Sequence, residues 1–150
     1  VDEPGFLIGP DAEKEATILH GTEAVLTVTE SQVPWSTVMI RKSFGVAAAA
    51  HYGPDGYVLA WPSAESGPLP LEGGVAVAFK KEIAEAPNPE AKRKEIEQRL
   101  AKNQNPFPRA ENFSVHEIID PRETREYLSN WIERVQPQLK AKLLSVSPKR

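Results

Sequence analysis

The chain has 150 residues, 40% of them apolar, and sets 18 Lys and Arg against 21 Asp and Glu for a net charge of -3. So close a balance argues against nucleic acid or an anionic membrane as the main partner, because both reward a concentrated positive surface. The absence of cysteine removes disulfides, thiolate metal sites and cysteine nucleophiles together.

The length fits a single domain over 1–150. No apolar run approaches the roughly 18 residues of a membrane span, and no charged-then-apolar leader opens the chain. The opening V-D-E-P-G-F reads as the end of a strand whose beginning is missing. Asp11 then stands where a helix N-cap belongs, with Glu13 and Glu15 near the positive end of the dipole, and a helix to about residue 30 is predicted. Ile18, Gly21, Val25 and Val28 share one stripe, which puts Gly21 in close packing against a strand. His20 has no second ligand at a metal-binding spacing, so it reads as packed or surface.

Residues 33–35 break that helix and lead to a strand over 37–40. The stretch 38–51, V-M-I-R-K-S-F-G-V-A-A-A-A-H, organises the rest. Its first half is β-branched and apolar, and its second is an alanine run entered through Gly45 and ended by His51. That predicts a buried strand turning tightly into a helix. The first N–H groups of a helix have no intrahelical partner and sit at its positive end, so Val46 and Ala47 offer two donors to a developing oxyanion. The small side chains of 47–50 let a ligand approach the backbone. A helix packed on a sheet through alanines has the same pattern, and both readings stand here.

Turn residues 53–56 lead to a strand over 57–61. The Ser, Gly and Pro of 62–70 form a surface connection or line a site. A helix over 72–86 stacks Val75, Phe79 and Ile83. A charged helix over 90–102 pairs Glu90 with Lys94 and Glu95 with Arg99 and presents a solvated face. Residues 105–108 read as irregular, and 115–119 as a short strand. Asp120-Pro121-Arg122-Glu123 carries a cap, a first-turn proline and a capping box. Leu128, Trp131, Ile132 and Val135 make a core or interface stripe, Pro137 kinks or ends that helix, and 143–150 fray. The alternation of strands and helices argues for α/β layering with right-handed crossovers.

Side-chain machinery is sparse. There is no G-x-S-x-G, H-E-x-x-H, G-x-x-x-x-G-K or G-x-G-x-x-G, and His20, His51 and His116 are scattered. Any activity therefore rests on backbone donors, with the turn at 45–47 as the candidate.

P-G-F-x-x-G at 4–9, V-P-x-x-x-V and R-K-x-F-G-x-A within 33–47, and A-W-P-S-A at 60–64 follow one another in an order that carries a resemblance. So do K-E-I-A-E-A at 81–86, N-P-F at 105–107 and I-I-D-P-R-E-T-R at 118–125. The chain resembles the carboxyltransferase (β) subunits of biotin-dependent acyl-CoA carboxylases, the propionyl-, acetyl- and methylcrotonyl-CoA group. It corresponds to most of their C-terminal half.

The resemblance implies a crotonase/ClpP-like layered α/β fold of ββα units, incomplete at the N-terminus. It implies carboxyl transfer from carboxybiotin to the α-carbon of an acyl-CoA, with no protein side chain as base and no metal in this chain. Val46 and Ala47 would give the two N–H groups for the biotin oxygen, and Phe6 would lie against the biotin ring. Gly5, Phe44, Gly45, Ala48 and Ala49 would complete the biotin and substrate surface. Many members carry glycine where Val46 stands, and many propionyl- and acetyl-CoA enzymes carry an acid at Ala49, which points to a larger or more apolar acyl group.

Implied partners are an N-terminal carboxyltransferase half, a biotin carboxylase and biotin carrier subunit, and further copies in a homo-oligomer, with no nucleic acid and no membrane. The implied setting is soluble and intracellular: cytoplasmic in a bacterium, the mitochondrial matrix in a eukaryote. Two other functions stay open, a crotonase-type acyl-CoA hydratase, isomerase or decarboxylase, and a non-catalytic assembly subunit.

Overall fold

The computed structural model describes residues 1–146 and divides into two compact units, Val1–Ile118 and Ile119–Arg150. In the first unit, β1 (Ser36–Met39), β3 (Tyr57–Ala60) and β5 (Glu117–Ile118) form a parallel sheet in the order β1-β3-β5. Val38 faces Leu59 and Ala60 faces Ile118 in the register. Val58, Leu59 and Ala60 of the central strand are all buried, as expected where helices cover both faces of a parallel sheet. Met39, Val58, Ala60, Ala64 and Val115 form the apolar cluster, with Tyr52, Ala110 and Ile118 packed at its edge.

A second parallel sheet joins β2 (Lys42–Phe44) to β4 (Glu65–Gly67), with Ser43 opposite Ser66. The first residues run alongside it. Glu3 N–H donates to the Lys42 carbonyl at 2.6 Å, Phe44 N–H to the Glu3 carbonyl at 3.0 Å, and Ile40 N–H to the Val1 carbonyl at 2.9 Å.

The helices of this unit are α1 (Pro10–Lys14), α2 (Thr17–Thr29), α3 (Gly45–Ala49), α4 (Leu71–Ala78), α5 (Lys80–Ala84), α6 (Pro89–Ala101) and α7 (Phe107–Glu111). α4 packs on α6, where Val75 and Ile96 are both fully buried. The Asn88 side chain caps α6 by accepting from Ala91 N–H at 3.0 Å, and Lys92–Glu95 and Arg93–Glu97 pairs lie along it.

Several local expectations are corrected. The single helix from Asp11 is two, because Ala16 takes a left-handed φ of 56°, which breaks the ladder. α1 is entered through Gly9 and Pro10, so Asp11 lies in its first turn and is not its cap. Ile18 is exposed while Gly21 is the buried residue of α2, and Gly21 meets the Phe6 ring where a strand was expected.

The 38–51 stretch holds two strands, not one, since β2 intervenes before the turn. The 62–70 connection contains β4, and 105–108 run into the one-turn helix α7, with Pro108 in its first turn. The 72–86 helix divides at Phe79.

In the second unit, Asp120 caps the 3-10 turn Pro121–Glu123, its side chain accepting from Arg122 N–H at 2.9 Å. The reciprocal Glu123 side-chain bond of a capping box is not made among the described residues. α8 spans Thr124–Val146 and contains Pro137, so that proline does not end it. Of the predicted stripe, Leu128, Trp131 and Val135 are half-buried and Ile132 is exposed. The tail expected to fray over 143–150 begins in α8, and 147–150 lie outside the described residues. No helix among the described residues is long and apolar enough to cross a membrane.

Candidate active site

The turn from β2 into α3 is made by one residue. Phe44 is extended at φ -124° and ψ 139°, and Gly45 follows at φ +64°, a left-handed value that glycine adopts freely. A Cβ there would meet the Pro68 carbonyl oxygen at 3.4 Å, an ordinary contact. Glycine is therefore required by the backbone angle rather than by lack of space. Positive φ falls on Gly45 and not on the β-branched Val46, so valine sits in the first turn of α3 without strain.

Val46 is 51% exposed, whereas Ala47 and Ala48 are buried. Neither the Val46 nor the Ala47 N–H donates to a carbonyl outside the helix among the described residues. Both belong to the first turn, whose N–H groups have no intrahelical partner. Two backbone donors thus sit at the corner where β2 becomes α3.

The other end of α3 is tied to β1. The His51 carbonyl accepts from Thr37 Oγ1 at 2.6 Å and from Trp35 Nε1 at 2.9 Å, which satisfies the buried Thr37 hydroxyl. His116 is also structural. Its Nδ1 accepts from Val58 N–H at 3.0 Å, and its ring lies 5.3 Å from that of Tyr57. His20 is exposed, 3.3 Å from Glu23. Among the described residues no group of three or more His, Asp or Glu is placed to hold a metal ion.

Behind the corner lies a cavity of about 230 Å³. Gly45, Ala48 and Ala49 form its α3 wall, Ser66 and Gly67 of β4 face them, and Arg109 of α7 closes it. Ser43, Tyr52 and Ser114 add hydroxyls. The Ser43 and Tyr52 oxygens are 2.6 Å apart, and Tyr52 O–H donates to Met39 Sδ at 2.8 Å. Burial pushes the Tyr52 phenol above its ordinary value, partly offset by the Ser43 hydrogen bond and the nearby Arg109 charge, so it stays neutral at physiological pH.

Three of the predicted site residues, Gly45, Ala48 and Ala49, meet in this cavity. Ala47 is in the core behind the corner. Phe44 is 1% exposed, packs on Gly67 and lines a separate cavity of about 140 Å³ with Gln104. Phe6 is seated on α2: a Cβ at Gly21 would lie 2.2 Å from Phe6 Cζ, so the ring fills the space left by the missing side chain. Gly5 precedes it at φ +136°. α2 in turn packs against α3.

Ser66, Arg109, Tyr52 and Ser114 were not singled out individually from sequence. The 62–70 segment was expected to form a surface connection or to line a site, and its Ser66 and Gly67 line this cavity, whereas nothing in the sequence marks Arg109.

Parallel strands in two sheets, with helices following β2 and β4 and a backbone donor corner where β2 enters α3, match a crotonase-type layered α/β domain. A solved transcarboxylase 12S structure, with methylmalonyl-coenzyme A and methylmalonic acid bound, superimposes with a TM-score of 0.77 at 36% identity, over 90% of this chain and 27% of that one.

The chain belongs to the carboxyl transferase domain family, which matches residues 1–142. It is 37% identical over 133 residues to a propionyl-CoA carboxylase carboxyltransferase subunit of Haloferax mediterranei, covering 85% of this chain and 26% of that protein. It is 37% identical over 137 residues to the methylmalonyl-CoA carboxyltransferase 12S subunit of Propionibacterium freudenreichii subsp. shermanii, covering 89% of this chain and 26% of that protein. The chain thus spans about a quarter of the length of these relatives.

Proposed function

We propose that residues 1–150 form the biotin-facing, C-terminal half of a carboxyltransferase site, active on an acyl-CoA once an N-terminal half is supplied. The observation that carries this reading is the Gly45 corner, where left-handed glycine turns β2 into α3 and leaves the Val46 and Ala47 N–H groups without carbonyl partners. Family membership and the transcarboxylase likeness support the same chemistry.

The donor set fits biotin. Two adjacent peptide N–H groups suit the amide-type oxygen of its ring, and a half-exposed corner leaves that oxygen a way in. When bound, biotin supplies the carboxyl group to be transferred. Val46 and Ala47 hold the oxygen on which negative charge develops, and removal of one such donor costs about 2.7–4 kcal/mol in comparable sites. The methyl side chains of Ala48 and Ala49 keep the approach open, and Phe6 offers an apolar ring face.

Assembly belongs to the same proposal. Leu7, Ile8, Ile18, Leu19 and Leu26 are exposed apolar residues on and before α2, a surface suited to another copy of the chain. The related transcarboxylase structure is described as a hexamer. A biotin carrier and its carboxylase would deliver the group, in a soluble intracellular setting.

The test is transfer of a labelled carboxyl group from biotin to an acyl-CoA. The complex of this chain with its N-terminal half is expected to transfer label, and the isolated chain is not. Transfer by the isolated chain would overturn the two-half division. Hydration of an enoyl-CoA without biotin would overturn the chemistry.

A further inference from the structure

The helix that carries the two corner donors cannot hold its own direction. α3 has five residues, Gly45–Ala49, little more than one turn, and a helix that short is not stable by itself. Its buried residues are Ala47 and Ala48, whose methyl groups have no length to interlock with the neighbouring α2 and β2. It joins β2 through Gly45 at φ +64°, and a residue without a Cβ resists rotation less than any other. A helix so mounted would swing about Gly45, and the Val46 and Ala47 N–H groups would swing with it.

The restraint lies at the far end. His51 N–H donates to the Ala48 carbonyl at 3.0 Å and Tyr52 N–H to the Ala49 carbonyl at 3.2 Å, so both residues move with α3. Thr37 and Trp35 grip the His51 carbonyl, which ties α3 to β1 and the residue before it. Tyr52 makes a second tie. Its hydroxyl oxygen lies 2.6 Å from Ser43 Oγ and it donates to Met39 Sδ at 2.8 Å, with Ser43 and Met39 both buried. Because the Tyr52 proton goes to sulfur, the Ser43 O–H donates to the Tyr52 oxygen.

Ser43 stands in β2 just before the corner. Its bond to Tyr52 therefore closes segment 43–52 into a ring that contains Gly45 and α3. Rotation of α3 about Gly45 must stretch that bond. Burial pushes the Tyr52 phenol above its ordinary value, so the donor to Met39 is present at neutral pH.

We propose that Tyr52 is a positioning residue for carboxyl transfer: by bridging the Ser43 hydroxyl and the Met39 sulfur it braces α3 on β2 and β1, and so aims the Val46 and Ala47 N–H groups. The proposal rests on the reading of the corner as the holder of the developing oxyanion. Tyr52 acts through α3 and not on the substrate.

The test follows biotin-dependent carboxyl transfer in the assembled enzyme with Tyr52→Phe, which keeps the ring, and Ser43→Ala, which removes the partner hydroxyl. Each should lower kcat about tenfold or more and leave the acyl-CoA KM within about twofold, since misplacement of a catalytic group by about 1 Å costs up to about 10²-fold. The double substitution should fall no further than the single ones, because each deletes the same bond. Where the Ala47 peptide N–H is replaced by an ester oxygen, Tyr52→Phe should lower kcat by a much smaller factor, since one of the donors it aims is gone.

A merely structural Tyr52 would lower Tm, leave the kcat of the folded enzyme unchanged, and act equally with and without the ester. Any of these kcat results, in an enzyme that the ester alone slows, would overturn the brace and leave the corner standing. An ester without effect on kcat would overturn the corner reading and the brace with it. Circular dichroism checks folding, and if Tyr52→Phe does not fold, Ser43→Ala decides.

Discussion

Replacing Gly45 with alanine isolates the backbone angle on which the corner depends. Gly45 sits at φ +64°, where an L-residue with a Cβ loses about 1–2 kcal/mol relative to its preferred region. The added Cβ would lie 3.4 Å from the Pro68 carbonyl oxygen, so no clash contributes. Alanine also restricts the unfolded chain, which returns about 0.4–1 kcal/mol. The net loss is about 1 kcal/mol, a fall in Tm of roughly 2–4 °C for a chain of this size.

Urea unfolding followed by circular dichroism measures it. Gly45→Asn should lose less, because asparagine enters the left-handed region more easily. A loss above about 4 kcal/mol would show that space, not angle, requires glycine. No loss, or asparagine faring worse than alanine, would refute the conformational argument altogether.

Three further outcomes are expected. Ile96→Ala empties a fully buried position under α4 and should lower stability by about 2–5 kcal/mol in the same unfolding experiment, with an unchanged m-value. Gly21→Ala drives a methyl into the Phe6 ring and should lose about 1–3 kcal/mol, and this loss should shrink in a Phe6→Ala background, a coupling read by a double-mutant cycle.

Because burial holds the Tyr52 phenol above its ordinary value of 10.0, both folded and unfolded chains keep the proton below that pH. As pH rises past it the unfolded chain ionises first, so stability falls until the raised folded value is passed. Tyr52→Phe should flatten that alkaline slope in a stability-against-pH series.

The corner was legible because its cause is local. A glycine between a strand and an alanine run needs no distant partner to be read as a turn, and Gly45 adopts the conformation that only glycine takes freely. Gly21 was legible as a close-packing position from its place on the helical stripe. Its partner was not, since Phe6 reaches it from outside any regular element.

β2 and β4 escaped notice for a physical reason. Lys42–Phe44 and Glu65–Gly67 are three residues each and lack β-branched side chains, so only their long-range pairing makes them strands. The same non-locality hid the cavity. Ser66 comes from one of these strands and Arg109 from the one-turn helix α7, and they line one space only after β4 has paired with β2. Of the two outcomes expected at Pro137, a kink or an end, the end is excluded, because the helix continues through the proline.

The most direct measurement removes one donor and nothing else: the Ala47 peptide N–H is replaced by an ester oxygen through semisynthesis, and biotin-dependent carboxyl transfer is followed in the assembled enzyme. Side chains and backbone path are retained, so the account predicts a 10²–10³-fold fall in kcat with the circular dichroism spectrum unchanged. An unchanged kcat would contradict it and reduce the Gly45 corner to architecture.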